Sequence, residues 1–239
     1  MRKDALLYRW LTRMAPGTVW KRWLKPSRLH LFAMRAVPLS AYYGFDRGTP
    51  VDRYYIERFL AGNREAIRGQ CLEIKDAGYT RRFGGDRVSV SDVLDIDPSA
   101  PEATLHGDLR RLDGVADDRY DCIILTQVLQ YVDDCQAALA ECRRILKPGG
   151  TLLATVPTLS RIGLQAGVEG DFWRFTGAGA SRLFSCVFDA RNVEAQAHGN
   201  VLTGLAFWVG MAIEEVSLPA RELEDPSFPL LVTVKAVKR

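Results

Sequence analysis

Two runs decide the fold: Tyr120-Asp121-Cys122-Ile123-Ile124-Leu125-Thr126-Gln127-Val128-Leu129-Gln130-Tyr131-Val132 and, one helix later, Arg143-Arg144-Ile145-Leu146-Lys147-Pro148-Gly149-Gly150-Thr151-Leu152-Leu153. Cys122 to Leu125 is an unbroken apolar run closed by a polar pair, the pattern of a strand buried on both faces. After Asp133, the segment DDCQAALAECRRIL sets Ala138, Leu139, Cys142, Ile145 and Leu146 on one helical face. Lys147-Pro148-Gly149-Gly150 then stops the helix, because proline cannot continue it and glycine accepts the left-handed closing conformation. A second apolar strand, residues 150–156, follows at once. Two buried strands joined through a helix form a parallel pair with a crossover.

The same alternation extends outward in both directions. Residues 70–75, 87–92 and 104–108 read as earlier strands, and residues 192–197 and 230–237 as later ones, with a helix expected over 202–216 between the last two. Thr49-Pro50-Val51-Asp52 supplies a hydroxyl cap, a proline in the first turn and an early acid, which predicts a helix over about residues 50–61. Residues 93–103 contain Pro98 and Pro101, so that crossover is a loop. The fold class is α/β: a doubly wound, mostly parallel, seven-stranded sheet with an N-terminal helical extension.

Composition sets the outer limits. The 239 residues are 47% hydrophobic and 26% charged, which excludes disordered, fibrous and disulfide-scaffold chains. The longest weakly polar run, residues 201–213, is well short of the ~20 residues of a spanning helix, so no transmembrane segment is expected. The basic N-terminus lacks the apolar core of a secretory signal, and a cytoplasmic location is expected. Five cysteines without a C-x-x-C spacing read as buried reduced thiols, and His30, His106 and His198 are too scattered to suggest a metal. Residues 1–47 hold ten Lys and Arg against Asp4 and Asp46, whereas the whole chain is only +3. With Trp10, Trp20 and Trp23 among them, residues 1–48 are expected to form a basic, Trp-rich helical extension suited to membrane-surface or protein docking, ahead of a domain over 49–239. The rest of the chain does not continue the basic surface, so no nucleic-acid partner is expected.

In an open parallel sheet, ligands bind beyond the carboxyl ends of the strands. The first exit reads Glu73-Ile74-Lys75-Asp76-Ala77-Gly78-Tyr79, and the fourth is Thr126-Gln127. Asp92, at the second exit and 19 residues beyond Glu73, is placed to accept hydrogen bonds from a ribose diol, with Asp95 and Asp97 as rivals. Asp108, at the third exit, could accept an adenine amino group.

The strand, helix and R-x-L-K-P-G-G combination resembles the class I S-adenosylmethionine-dependent methyltransferases over residues 69–237. Tyr79-Thr80-Arg81-Arg82-Phe83-Gly84-Gly85, Trp173-Arg174-Phe175-Thr176 and Gly199-Asn200-Val201-Leu202 are similar to a bacterial subgroup associated with glycan or natural-product pathways. The resemblance implies S-adenosylmethionine as cofactor, Glu73 as the first-strand acid, and Lys75, Asp76, Ala77, Gly78 and Tyr79 as the cofactor loop. It further implies Asp92 or Asp95 as the ribose acid, Asp108 with Leu109 at the adenine, and Thr126-Gln127 between cofactor and substrate. The loop departs from the family's G-x-G-x-G in having no glycine at the first, third or fifth place. Gly78 is therefore expected to supply the positive φ, and Lys75 to turn away or pair with Asp76, Asp92 or the cofactor carboxylate.

Methyl transfer from a sulfonium needs chiefly alignment and exclusion of water. The implied activity is O-methylation of a small-molecule, glycan or natural-product hydroxyl, with His198 and Asp171 as candidate bases. Tyr131, Trp173, Arg174 and Asn200 are candidate substrate residues: Trp173 could stack on a ring and Arg174 could pair with an acidic substituent. The alternative is a catalytically inactive partner or scaffold of a biosynthetic enzyme, favoured by Lys75 in the loop. A nicotinamide oxidoreductase is disfavoured by the absence of G-x-G-x-x-G at the first exit.

Overall fold

A computed structural model describes residues 37–164 and 166–239, and the account below concerns the compact body Leu39–Arg239. The helical extension expected over residues 1–48 lies, up to residue 36, outside the described residues. Its last part belongs to the main body: the Leu39 N–H donates to the Val209 carbonyl at 2.7 Å, and Tyr43 stacks on Phe207. The compact body thus begins at Leu39.

Seven strands form one sheet in the order β3-β2-β1-β4-β5-β7-β6. They are β1 (Gly69–Ile74), β2 (Val88–Asp95), β3 (Leu105–His106), β4 (Tyr120–Thr126), β5 (Leu146–Pro157), β6 (Val193–His198) and β7 (Leu231–Val237). The pairs from β3 through β5 are parallel, and β7 runs antiparallel between β5 and β6. Leu72 lies opposite Ile123, and Ile123 opposite Leu152, so the apolar runs stand side by side. Alternate residues of each run enter different cores. On one face Leu72, Ile123, Leu125 and Leu152 pack with α2 (Cys135–Ile145) and α3 (Gly177–Phe188). On the other, Cys71, Cys122, Ile124 and Leu153 pack with α1 (Val51–Gly62) and α4 (Val201–Val209). Both faces being covered explains why these strands are continuously apolar rather than alternating.

Several boundaries move. β2 runs to Asp95, three residues past the expected end, because Leu94 and Asp95 pair with Leu105 and His106. β3 keeps only those two residues, and His106 is exposed. β5 begins at Leu146, with Gly149 at φ 81 in its irregular first turn. α1 starts at Val51 without a side-chain cap; the Thr49 N–H is instead bonded to Glu214. The single helix expected over 202–216 is split, since Gly210 takes φ 78 where a Cβ would run into the Ser40 carbonyl oxygen. A short helix, α5 (Leu218–Glu222), follows. Four cysteines are buried, but Cys186 is exposed. Among the described residues no helix is long and apolar enough to cross a membrane.

Candidate functional site

A cavity of about 980 Å³ opens beyond the carboxyl ends of β1, β2 and β4. These strands flank the point where the chain, having built outward to β3, returns to the other side of β1, the usual ligand position in such sheets. Glu73, Lys75, Asp76, Gly78, Tyr79, Asp108, Leu109, Thr126, Gln127 and Tyr131 all line it. Ala77 is buried and is not part of the lining.

The first loop is organised by carboxylates. Glu73 is buried, and its oxygens accept the N–H groups of Tyr79 at 3.2 Å and Thr80 at 2.7 Å, which anchors the helical turn Thr80–Gly84. Burial pushes the Glu73 carboxyl up, and these N–H donors oppose the shift. Asp76 Oδ1 accepts the Gly78 N–H at 2.7 Å, and a Cβ on Gly78 would stand 2.8 Å from that oxygen, so glycine here permits the close approach. The positive φ expected of Gly78 is taken by Lys75, at φ 79. The Lys75 ammonium pairs with Asp95 at 3.2 Å, a partner absent from the set the sequence suggested.

Asp92 is not at the cavity. Its carboxylate accepts from Arg119 at 2.6 Å, the Tyr120 hydroxyl at 2.8 Å and Thr104 at 3.1 Å. The extension of β2 puts Asp95 at the exit instead. Asp95 is 4% exposed; its Oδ1 accepts from Lys75 and from the Asp97 N–H at 2.9 Å. No donor among the described residues reaches its Oδ2. Asp108 is held by Arg110, whose other arm binds Asp133 at 2.6 Å; the Arg110 hydrogen bonds keep the Asp108 carboxyl below its usual range. Gln127 leaves β4 at φ 54, with its N–H bonded to the Thr155 carbonyl at 2.9 Å.

Five candidates serve the scaffold and do not line the cavity. His198 lies between Glu224 (3.1 Å) and Thr233 (3.0 Å), stacked on Tyr55. Asp171 accepts the Gly163 N–H and pairs with Arg174 at 2.6 Å, while Arg174 also donates to the Ser160 and Arg161 carbonyls. Asn200 caps α4 through the Leu202 and Thr203 N–H groups and donates to the Ala220 and Leu223 carbonyls. Trp173 likewise lies outside the lining, its indole N–H donating to the Val132 carbonyl at 2.9 Å.

The cavity also contains residues the sequence reading passed over. Asp52 is buried, with Oδ1 lacking any hydrogen-bond partner, and burial pushes its carboxyl up. Arg53, next to it, reaches only the Tyr79 hydroxyl, at 3.4 Å, and no carboxylate of the described residues pairs with it. Gln130, Tyr43, Phe45, Phe172 and Phe207 line the cavity as well. The one signal in the sequence was the acid-base dipeptide at the start of α1, which a capping argument absorbs entirely.

Residues 86–154 match the family model described as a methyltransferase domain. A 95-residue stretch, 39% of this chain, is 35% identical to part of a highly reducing polyketide synthase, verA, of Penicillium polonicum, and spans 4% of that protein's length. Among solved structures, a SAM-dependent methyltransferase from Archaeoglobus fulgidus is similar with TM-score 0.50 and 14% identity, covering 77% of this chain and 94% of that one. The [4+2]-cyclase SpnF is similar with TM-score 0.51 and 14% identity, covering 80% and 83%. At such identities the structural likeness establishes the fold alone, and it is the matched residues 86–154, from β2 into β5, that add the family signature. Residues 86–154 therefore match a methyltransferase-domain model, and the chain shares its fold with the methyltransferase structure it resembles.

Proposed function

We propose that this chain is an S-adenosylmethionine-dependent methyltransferase acting on a hydroxyl of a small-molecule acceptor. The observation that carries the reading is Asp95: a nearly buried carboxylate at the β2 exit with one oxygen that no donor among the described residues reaches, beside a loop that Glu73 holds in place. A vicinal diol donates to such an oxygen. Asp108 and Leu109 stand at the next exit, where a purine would lie, and Arg53, which no carboxylate of the described residues pairs with, fits the carboxylate of an amino-acid end.

The bound cofactor would supply a methyl group on an already activated leaving group. The chain's contribution is then to hold and to shield: Leu94, Ile96 and Leu109 give the cavity an apolar wall, and no general acid is required. The pairing of Lys75 with Asp95 answers the electrostatic objection to this loop, since the ammonium is drawn to a carboxylate rather than left bare. Similarity to a segment of a polyketide synthase supports a natural-product acceptor over a macromolecular one.

Calorimetric titration with S-adenosylhomocysteine tests the reading. Saturable binding is expected, weakened about tenfold or more in Asp95→Ala by loss of a charge-assisted hydrogen bond. Absence of heat at millimolar ligand would refute it and leave the scaffold role.

A further inference from the structure

Among the cavity's polar side chains, that of Gln130 is fixed in place while its Oε1 meets no donor among the described residues. Gln130 is 4% exposed, and its NH2 donates to the Gln127 carbonyl at 2.9 Å. An oxygen in that position would face another oxygen, so the amide has one orientation. Its Oε1 is buried and accepts nothing from the described residues. The backbone is pinned too: the Gln130 carbonyl accepts the N–H groups of Phe172 at 2.8 Å and Trp173 at 3.3 Å. A buried acceptor held this rigidly and left unpaired is unfavourable until something donates to it.

Its surroundings are aromatic. Tyr43 stacks on Phe207 with centroids 6.1 Å apart and planes at 28°. Tyr131 and Phe172 flank Gln130 in chain and by backbone hydrogen bond, and Phe45 lines the same cavity. The Arg161 guanidinium lies 5.3 Å over the Tyr43 ring, and Gly163 sits where any Cβ would meet the Tyr131 ring. The Ser160 hydroxyl donates to the Arg161 carbonyl. Such walls suit flat, apolar surface and offer little to a molecule with hydroxyls on every side.

We propose that this end of the cavity binds a flat aromatic or conjugated molecule carrying a hydroxyl, and that Gln130 Oε1 accepts the hydroxyl proton's hydrogen bond, making Gln130 the residue that selects for the hydroxyl and positions it. That this molecule is the methyl acceptor rests on the methyltransferase reading; the binding preference does not. A sugar fits poorly, because most of its hydroxyls would face aromatic carbon.

The test uses the whole 239-residue chain, with and without S-adenosylhomocysteine, titrated with 2-naphthol, with 2-fluoronaphthalene, which has nearly the same shape but no donor, and with methyl glucoside. The wild type is expected to bind 2-naphthol about tenfold more tightly than 2-fluoronaphthalene, the effect of one buried hydrogen bond. Gln130→Leu is expected to abolish that ratio, and Phe172→Ala, at a half-exposed position, to weaken both naphthalenes alike. The wild-type ratio needs no variant, so a folding defect in Gln130→Leu does not remove the test. Equal binding of the two naphthalenes, binding of neither, or a preference for methyl glucoside overturns the proposal. If S-adenosylhomocysteine fails to bind while the naphthol preference holds, the methyltransferase reading fails and the binding site stands. If S-adenosylhomocysteine binds and the naphthols do not, only the aromatic site is lost.

Discussion

Replacing Lys75 with glycine and, separately, with alanine isolates the backbone conformation of the loop after β1. Both variants remove the ion pair with Asp95, so their difference reports the left-handed φ of 79 alone. An L side chain in that conformation costs about 1–2 kcal/mol, and the extra freedom of glycine in the unfolded chain offsets about half of it. Lys75→Gly is therefore expected to be about 1 kcal/mol more stable than Lys75→Ala, which for a domain of this size is about 2–4 °C in Tm. The ion pair itself contributes little, at most about 1 kcal/mol, because the lysine side chain is 55% exposed. Lys75→Ala should thus lie at most about 1 kcal/mol below the wild type, and Lys75→Gly level with the wild type or slightly above it. Urea denaturation and thermal unfolding of the three proteins under one buffer measure this. An alanine variant as stable as the glycine variant would refute the left-handed assignment, and with it the account of how a loop without the family's glycines closes.

Three further outcomes follow from the geometry. Asp92→Ala removes the partner of Arg119, Tyr120 and Thr104 and should destabilise the fold by about 2–4 kcal/mol, while S-adenosylhomocysteine affinity of the folded protein stays unchanged; a stable variant that loses the ligand would return the ribose role to Asp92. Arg53→Gln should raise the Kd for S-adenosylhomocysteine about tenfold yet leave 5′-methylthioadenosine, which lacks the amino-acid end, unaffected; equal weakening of both ligands would place Arg53 elsewhere on the nucleoside. The Arg144 guanidinium and the Leu112 N–H hold the Glu141 carboxyl below its ordinary value of 4.5, so its stabilisation is present above that pH and is lost as pH falls through the depressed folded value. Glu141→Gln should cost about 1 kcal/mol at neutral pH and flatten the acid limb of stability; identical acid limbs in urea titrations of the two proteins would sink that assignment.

The order of the sheet's central strands and the place of the loop after β1 were legible in the sequence. The apolar run at Cys122–Leu125, the helical face from Ala138 to Leu146 and the stop at Lys147-Pro148-Gly149-Gly150 are local patterns, and local patterns fix elements and their order. Because strand exits are where such sheets bind ligands, Glu73, Asp108 and Thr126-Gln127 could be placed at the cavity without coordinates. Which acid stands at the second exit could not. β2 ends where its hydrogen bonds to β3 end, and the pairing of Leu94 with Leu105 is not written near Asp92. His198, Asp171 and Asn200 look like reactive residues in a string of letters, but each meets its partners through contacts that folding brings together, and none of the three lines the cavity. Asp52, Arg53 and Gln130 are the converse case. Residue type gives the donors and acceptors, whereas only the folded chain decides which are satisfied, since hydrogen bonding and burial depend on neighbours far along the chain.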